Sequence, residues 1–314
     1  MTTSEVELVH KIADNIEKVI LGKRLEIYNI LKGILANGHI LIEDVPGVGK
    51  TTLIKALAKS LSLSYSRIQF TPDLLPSDII GVSIYNQKTM EFEYKKGPIF
   101  SNIVLADEIN RTSPKTQSAL LEAMEEKQIS EGGITYKLKE PFLVLATENP
   151  IEYEGTFSLP EAQLDRFMIK VSIGYPHSDA EVDILELYKE NNPIEELEAV
   201  ATDDDIIYLQ KKVREIHVEK QLNEYIVKIV NATRHNSFIS LGGSIRASLA
   251  LQRVAQATAL INGRDYIIPE DIRENVMIVL SHRITLTSSA RANNYSSSQV
   301  ISDILKTIQV PKVK

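Results

Sequence analysis

Apolar residues recur along this chain in two rhythms, and the change between them divides it. Residues 6–20 carry Val6, Val9, Ile12, Ile16 and Ile20, the spacing of one helix face, and Gly22 stands where a helix C-cap is expected. A second helix is predicted over 24–36, up to the turn at Asn37-Gly38. Then the rhythm shortens. His39-Ile40-Leu41-Ile42 is an apolar run of strand length, 64–70 alternates, 101–108 reads as a buried strand, and 142–147 reads as another. Residues 113–126 return to helical spacing, with Ser113 as cap and Pro114 in the first turn. Two hairpins are predicted between these elements, one near 81–94 and one over 129–138 broken at Gly132-Gly133. Apolar strands alternating with helices predict a mainly parallel sheet covered on both faces. Past Pro176 strand signals stop, and helices are expected over 180–188, 203–218, 221–235, 244–260, 269–282 and 297–308, with a polar loop at 288–298. The expected fold is an α/β domain over 1–176 followed by a smaller all-α domain over 177–314.

Composition narrows the class without naming it. With 314 residues, 43% of them hydrophobic and 25% charged, the chain can build two globular cores. It has no cysteine, which excludes disulfides and thiolate metal sites. No apolar run approaches the roughly 18 residues of a membrane span. The first residues lack a basic stretch followed by an apolar one, so no secretory leader is expected and the cytoplasm is the expected location. A net charge of −7 gives no global case for nucleic-acid binding, although Lys95, Lys96 and Lys137 beside the hairpins could make a local basic surface.

The chemistry concentrates at strand ends. Asp44-Val45-Pro46-Gly47-Val48-Gly49-Lys50-Thr51-Thr52 lies between an apolar strand and a helical pattern carrying Leu53, Ile54, Leu57, Ala58 and Leu61. Two glycines let backbone N–H groups point at phosphates, Lys50 supplies a point charge, and the Thr51 hydroxyl is a hard oxygen ligand suited to Mg²⁺. The first glycine of the G-x-x-x-x-G-K-[ST] pattern is here Asp44, which weakens the match as a string. Asp107 and Glu108 close a strand at the sheet edge where ligands sit, Asp107 as a metal-side carboxylate and Glu108 to polarise a water; read alone, they are ordinary surface acids. Asn149 in Thr147-Glu148-Asn149-Pro150 would fix that water or simply start a turn. Arg166 in Glu161-Ala162-Gln163-Leu164-Asp165-Arg166-Phe167 reads as an arginine finger or as half of a surface ion pair with Asp165. Arg246 falls in the first turn of a helix in the second half.

These elements, in this order, make the chain resemble an AAA+ ATPase, and their wording resembles the MoxR family. The matching stretches are E-D-V-P-G-V-G-K-T from Glu43, Gly97–Glu126, Ala146–Pro150, Glu154–Phe167, Gly263–Ile272 and Val279–Arg283. Asp44 is typical of that family. The resemblance implies ATP and Mg²⁺ as cofactors, Lys50 and Thr51 at the phosphates, and Asp107 and Glu108 as the Walker B pair. It further implies Asn149 as sensor 1, Arg166 as a finger given to a neighbouring subunit, and Arg246 as sensor 2 for its own or a neighbour's site. Val19, Ile20, Leu21 and Gly22 would line an adenine pocket. Gly242-Gly243-Ser244-Ile245-Arg246 lacks the proline expected before the arginine. The implied activity is ATP hydrolysis by a ring, a hexamer, that remodels or matures a partner complex, with a von Willebrand factor A-domain protein as partner. A nucleic-acid motor and a non-hydrolysing switch are the alternatives; retention of Glu108 and Arg166 speaks against the switch.

Overall fold

The computed structural model describes residues 3–149, 157–189 and 192–311. Helices α1 (Thr3–Glu17) and α2 (Arg24–Leu35) lead into strand β1 (His39–Glu43), and the glycine-bearing loop from Asp44, the P-loop, runs into α3 (Lys50–Ser60). Strand β2 (Tyr65–Gln69) and the short α4 (Pro76–Ile80) precede the hairpin β3 (Gly81–Asn86) and β4 (Glu91–Lys96). Then come β5 (Ile103–Asp107), α5 (Pro114–Glu126), the hairpin β6 (Gln128–Glu131) and β7 (Ile134–Lys137), β8 (Leu143–Glu148), the single turn α6 (Glu161–Leu164) and β9 (Phe167–Val171).

Five strands form one parallel sheet in the order β2-β5-β8-β1-β9. Its central strands are apolar throughout because both faces are covered. Ile40, Ile42, Ile103, Leu105, Leu143 and Leu145 pack toward α1–α3, while Leu41, Val104, Ala106, Val144 and Ala146 pack on the opposite side against residues of α5. Parallel pairing places Glu43 opposite Glu148 and Gln69 opposite Asp107, so these four polar side chains share the C-terminal edge of the sheet.

The rest of the chain is mostly helical: α7 (Ser178–Leu187), α8 (Pro193–Glu196), α9 (Asp203–Glu215), α10 (Lys220–Arg234), α11 (Ile245–Ile261), α12 (Pro269–Arg273), α13 (Val276–Leu280), α14 (Ser288–Ala292) and α15 (Ser297–Thr307). Helices α9 and α11 bury Leu209, Val213, Leu251 and Val254 in the same apolar cluster as Ile12, Ile16, Ile27 and Ile30 of the first two helices.

Several expectations need correction. Helix α1 ends at Glu17, and Gly22, at φ +68, sits in the turn before α2 rather than capping α1. The second half is not purely helical: β10 (Ile239–Leu241) and β11 (Thr285–Leu286) form a small antiparallel ribbon. The helix expected over 269–282 breaks at Asn275, which is fully buried and donates its side-chain amide to Asp271 O at 2.7 Å and Thr258 Oγ1 at 2.8 Å. That amide takes the carbonyl an uninterrupted helix would give to the Asn275 backbone N–H. Part of the loop expected over 288–298 is α14, capped by Thr287.

Candidate functional site: a phosphate-loop cleft and a separate arginine cluster

The P-loop folds as its residues dictate. Gly47 and Gly49 both adopt φ +87, a left-handed conformation that only glycine takes without strain. Gly49 is the N-cap of α3, so the loop's N–H groups and the positive end of the helix face a cleft of about 410 Å³. Pro46, Gly47, Gly49, Lys50, Thr51 and Thr52 form one wall; Asp107, Glu108 and Asn149 form the other. The structure thus brings together every phosphate- and metal-side residue expected from the sequence except Val48, which is half-buried against the apolar core. Lys50 Nζ donates to Asp44 O at 2.8 Å.

The carboxylate wall is held by its neighbours. Thr147 Oγ1 accepts from the Glu108 N–H at 2.8 Å and donates to Asp107 Oδ1 at 2.6 Å, locking the ends of β5 and β8 together. Glu108 sits in the left-handed region at φ 57, ψ 50, a strained position for a non-glycine residue that aims its side chain over the cleft. Its Oε2 accepts from Gln69 Nε2 at 2.7 Å and from Arg111 Nη1 at 3.1 Å. Arg67 donates to Asp107 Oδ2 through Nε at 3.0 Å and Nη2 at 2.6 Å. Arg67 and Gln69 line the cleft and escaped the sequence reading. The signal was present: they alternate along β2, the strand beside the carboxylate strand. Asn149 is buried in the cleft wall, whereas Pro150 and Glu154-Gly155-Thr156 lie outside the described residues.

Beside Asn149, Glu148 is pushed up to about 7, chiefly by burial and further by the Glu43 carboxylate, with Lys170 opposing. Lys170 itself pairs with Glu43 at 2.9 Å.

Arg166 and Arg246 are elsewhere. They line a second cavity of about 230 Å³ with His39 and Arg283. His39 opens β1 and Arg166 immediately precedes β9, which puts this cavity at the N-terminal edge of the sheet. A five-residue strand, roughly 16 Å long, separates that edge from the P-loop. Arg166 does not pair with Asp165. Its Nη2 meets Glu125 Oε2 at 2.9 Å, and Arg246 Nη2 meets the other oxygen of the same carboxylate. Asp165 instead accepts from Arg283 Nε at 2.9 Å and from Ser244 Oγ at 2.8 Å. Ser244 also caps α11, doing so without the expected proline. Arg283 is buried, lowered to about 10 by desolvation against its pairing with Asp165, and donates to the carbonyls of Phe167, Met168 and Val279. Asp165 thus docks the N-terminus of α11 beside Arg166. His39 is neutral, held near 4 by burial, its Nδ1 accepting from Val144 N–H at 3.0 Å.

Val19 and Ile20 are buried in the turn between α1 and α2, and none of Val19–Gly22 lines the P-loop cleft. Gly22 touches the start of the second half: a Cβ there would lie 3.1 Å from Ala180 Cβ on α7.

A parallel sheet with a glycine-bent loop, a lysine, a threonine and two carboxylates at its C-terminal edge, followed by a helical lid, defines a P-loop nucleotide-binding protein of the AAA+ class. Residues 39–169 match the ATPase family associated with various cellular activities, and residues 231–304 match the AAA lid domain. The chain is 52% identical to the uncharacterized protein YeaC of Bacillus subtilis, over 97% of this chain and 95% of that protein. It is 41% identical to Chaperone MoxR1 of Mycobacterium tuberculosis, over 99% of this chain and 84% of that protein. A solved structure of a proposed ATPase from Cytophaga hutchinsonii superposes with a TM-score of 0.92 at 43% identity, covering 98% of this chain and 96% of that one. The chain belongs to the MoxR family of AAA+ ATPases.

Proposed function

We propose that the protein hydrolyses ATP with Mg²⁺ as part of a ring, a hexamer in the simplest reading, and uses the energy in a chaperone-like role on a partner protein complex. The 1–176 portion is the nucleotide-binding unit and 177–314 the lid. One observation carries the ring: Lys50, Thr51, Asp107, Glu108 and Asn149 converge on one cleft, while Arg166 and Arg246 stand together at the opposite edge of the sheet. From that edge Arg166 does not line its own phosphate cleft and would serve a neighbouring subunit's phosphates. Arg246, sharing Glu125 with Arg166, belongs with it in that role.

The donor set fits the cofactors. Lys50 and the loop N–H groups match phosphate oxygens, and the Thr51 hydroxyl with Asp107 matches a hard cation, Asp107 acting through water because both its oxygens already have partners. Mg²⁺ bound there would neutralise charge on the β- and γ-phosphates. Glu108 would accept the proton of the attacking water, and Asn149 would orient it. Val19–Gly22 do not line the cleft, so their contact with the adenine would lie beyond it, at the half-buried Leu21 and the exposed Gly22 of that turn. Chaperone MoxR1 is the relative whose name supplies the chaperone role; a von Willebrand factor A-domain protein is the partner class to try first, in the cytoplasm. Among the described residues no helix is long and apolar enough to cross a membrane.

Lys50→Ala is expected to abolish nucleotide binding, measured with a fluorescent ADP. Glu108→Gln is expected to bind ATP but to turn it over at least about 100-fold more slowly. Wild-type affinity in the first, or wild-type turnover in the second, would remove the corresponding assignment.

A further inference from the structure

The first position of the P-loop is an aspartate where the general pattern has glycine, and Asp44 is only 7% exposed. A buried carboxylate is costly unless its oxygens are satisfied. Oδ1 accepts from Val45 N–H at 3.0 Å. Oδ2 accepts from the backbone N–H groups of Ile173 at 2.6 Å and Gly174 at 2.7 Å, and from the Ser172 hydroxyl at 3.2 Å. Successive N–H groups converging on one oxygen make an anion-binding nest, and Gly174, at φ +64, supplies the left-handed turn it needs. The anion in this nest is the P-loop's own side chain.

Residues 172–175 are the crossover by which the chain leaves β9 for α7. Lys23 grips the same crossover from the α1–α2 turn, donating to Ile173 O at 2.5 Å and Tyr175 O at 2.9 Å. Asp44 also faces the other way: its carbonyl accepts from Lys50 Nζ at 2.8 Å. One residue therefore bonds the phosphate-binding lysine through its backbone and the crossover to the lid through its side chain. A glycine offers only the first bond.

We propose that Asp44 is a positioning residue that couples occupancy of the P-loop to the 172–175 crossover, and through it to α7. Phosphate oxygens compete with the Asp44 carbonyl for the Lys50 ammonium. The loop then shifts at the residue whose carboxylate holds the crossover, and α7 shifts with it. This coupling rests on the nucleotide-site reading above.

Hydrogen exchange of the full chain, with and without Mg·ADP, tests it in wild type, D44G, D44N and K50A. In wild type, ADP is expected to change exchange at residues 173–187. D44G is expected to keep saturable ADP binding but to lose that change, with kcat falling at least about fivefold while KM moves less than about threefold. D44N keeps the volume and one acceptor oxygen, so it should restore part of the response, and it carries the test if D44G folds poorly. An undiminished ADP response at 173–187 in D44G, or in D44N should D44G fold poorly, would overturn the coupling, as would no wild-type response at saturating ADP. Unchanged ADP affinity in K50A would instead overturn the nucleotide-site reading.

Discussion

Two carboxyl side chains, Glu148 and Asp165, sit in opposite surroundings in this molecule. Glu148 keeps its proton to about pH 7 in the native state because burial and the facing Glu43 disfavour its charge. The unfolded chain releases that proton near the ordinary value of about 4.5. A raised native pKa contributes stability that is complete below the unfolded value and is lost as pH rises through the native one. Glu148→Gln should therefore flatten the decline in unfolding midpoint between pH 5 and pH 8; parallel curves for the two proteins would refute this reading of Glu148. Asp165 makes the opposite case, since it pairs at 2.9 Å with Arg283, which is almost wholly buried. Arg283→Ala leaves Asp165 without its main partner and removes the donor to three carbonyls, which should cost about 3–5 kcal/mol in denaturant unfolding. Glu125→Ala breaks two half-exposed pairs and should cost less than about 1 kcal/mol. Equal losses would mean that burial is not what separates them. At this scale the sequence announced the P-loop residues through their spacing. It hid the pairing of Arg166 with Glu125, because the Asp165 beside it in the chain was the obvious partner.

Elements were legible where their period was long or their caps were marked. The helix after Ser113 begins where the Ser-Pro pair says it does, with Ser113 accepting from Thr116 N–H. Strand β9 went unread because five mostly apolar residues carry too short a pattern and follow directly on Asp165-Arg166. The β10–β11 ribbon, strands of three and two residues, gave no periodic signal at all. Both hairpins are present, and their tyrosines divide into two groups. Tyr94 and Tyr136 stack on each other at 4.4 Å and tie the hairpins together, while Tyr85 packs against Phe92 on the exposed face. Phe92 and Met90 are 74% and 71% exposed. Replacing both with serine should move stability by less than about 0.5 kcal/mol, because neither is buried. If the β3–β4 hairpin docks the proposed partner, basal ATPase should persist and stimulation by that partner should be lost. Stimulation intact in that variant would remove the β3–β4 hairpin from the docking surface, and stimulation of the wild type by single-stranded DNA alone would favour a nucleic-acid motor.

For the whole molecule, the division of labour across the sheet matters most. In the proposed ring, the two edges of one parallel sheet would carry the two halves of a catalytic site, with Arg166 lining one cavity and the P-loop the other. Activity per chain should therefore rise with protein concentration. The most direct measurement mixes two inactive variants, Lys50→Ala and Arg166→Ala, and follows ATP hydrolysis in oligomers verified to contain both. The first lacks a working P-loop but keeps its arginine; the second has the reverse. In an equimolar random ring about a quarter of the interfaces pair an intact P-loop with an intact arginine. The mixture should regain activity in about that proportion, against a loss on the order of 10³-fold or more for Arg166→Ala alone. No recovery in mixed rings would contradict an arginine given from one subunit to the next.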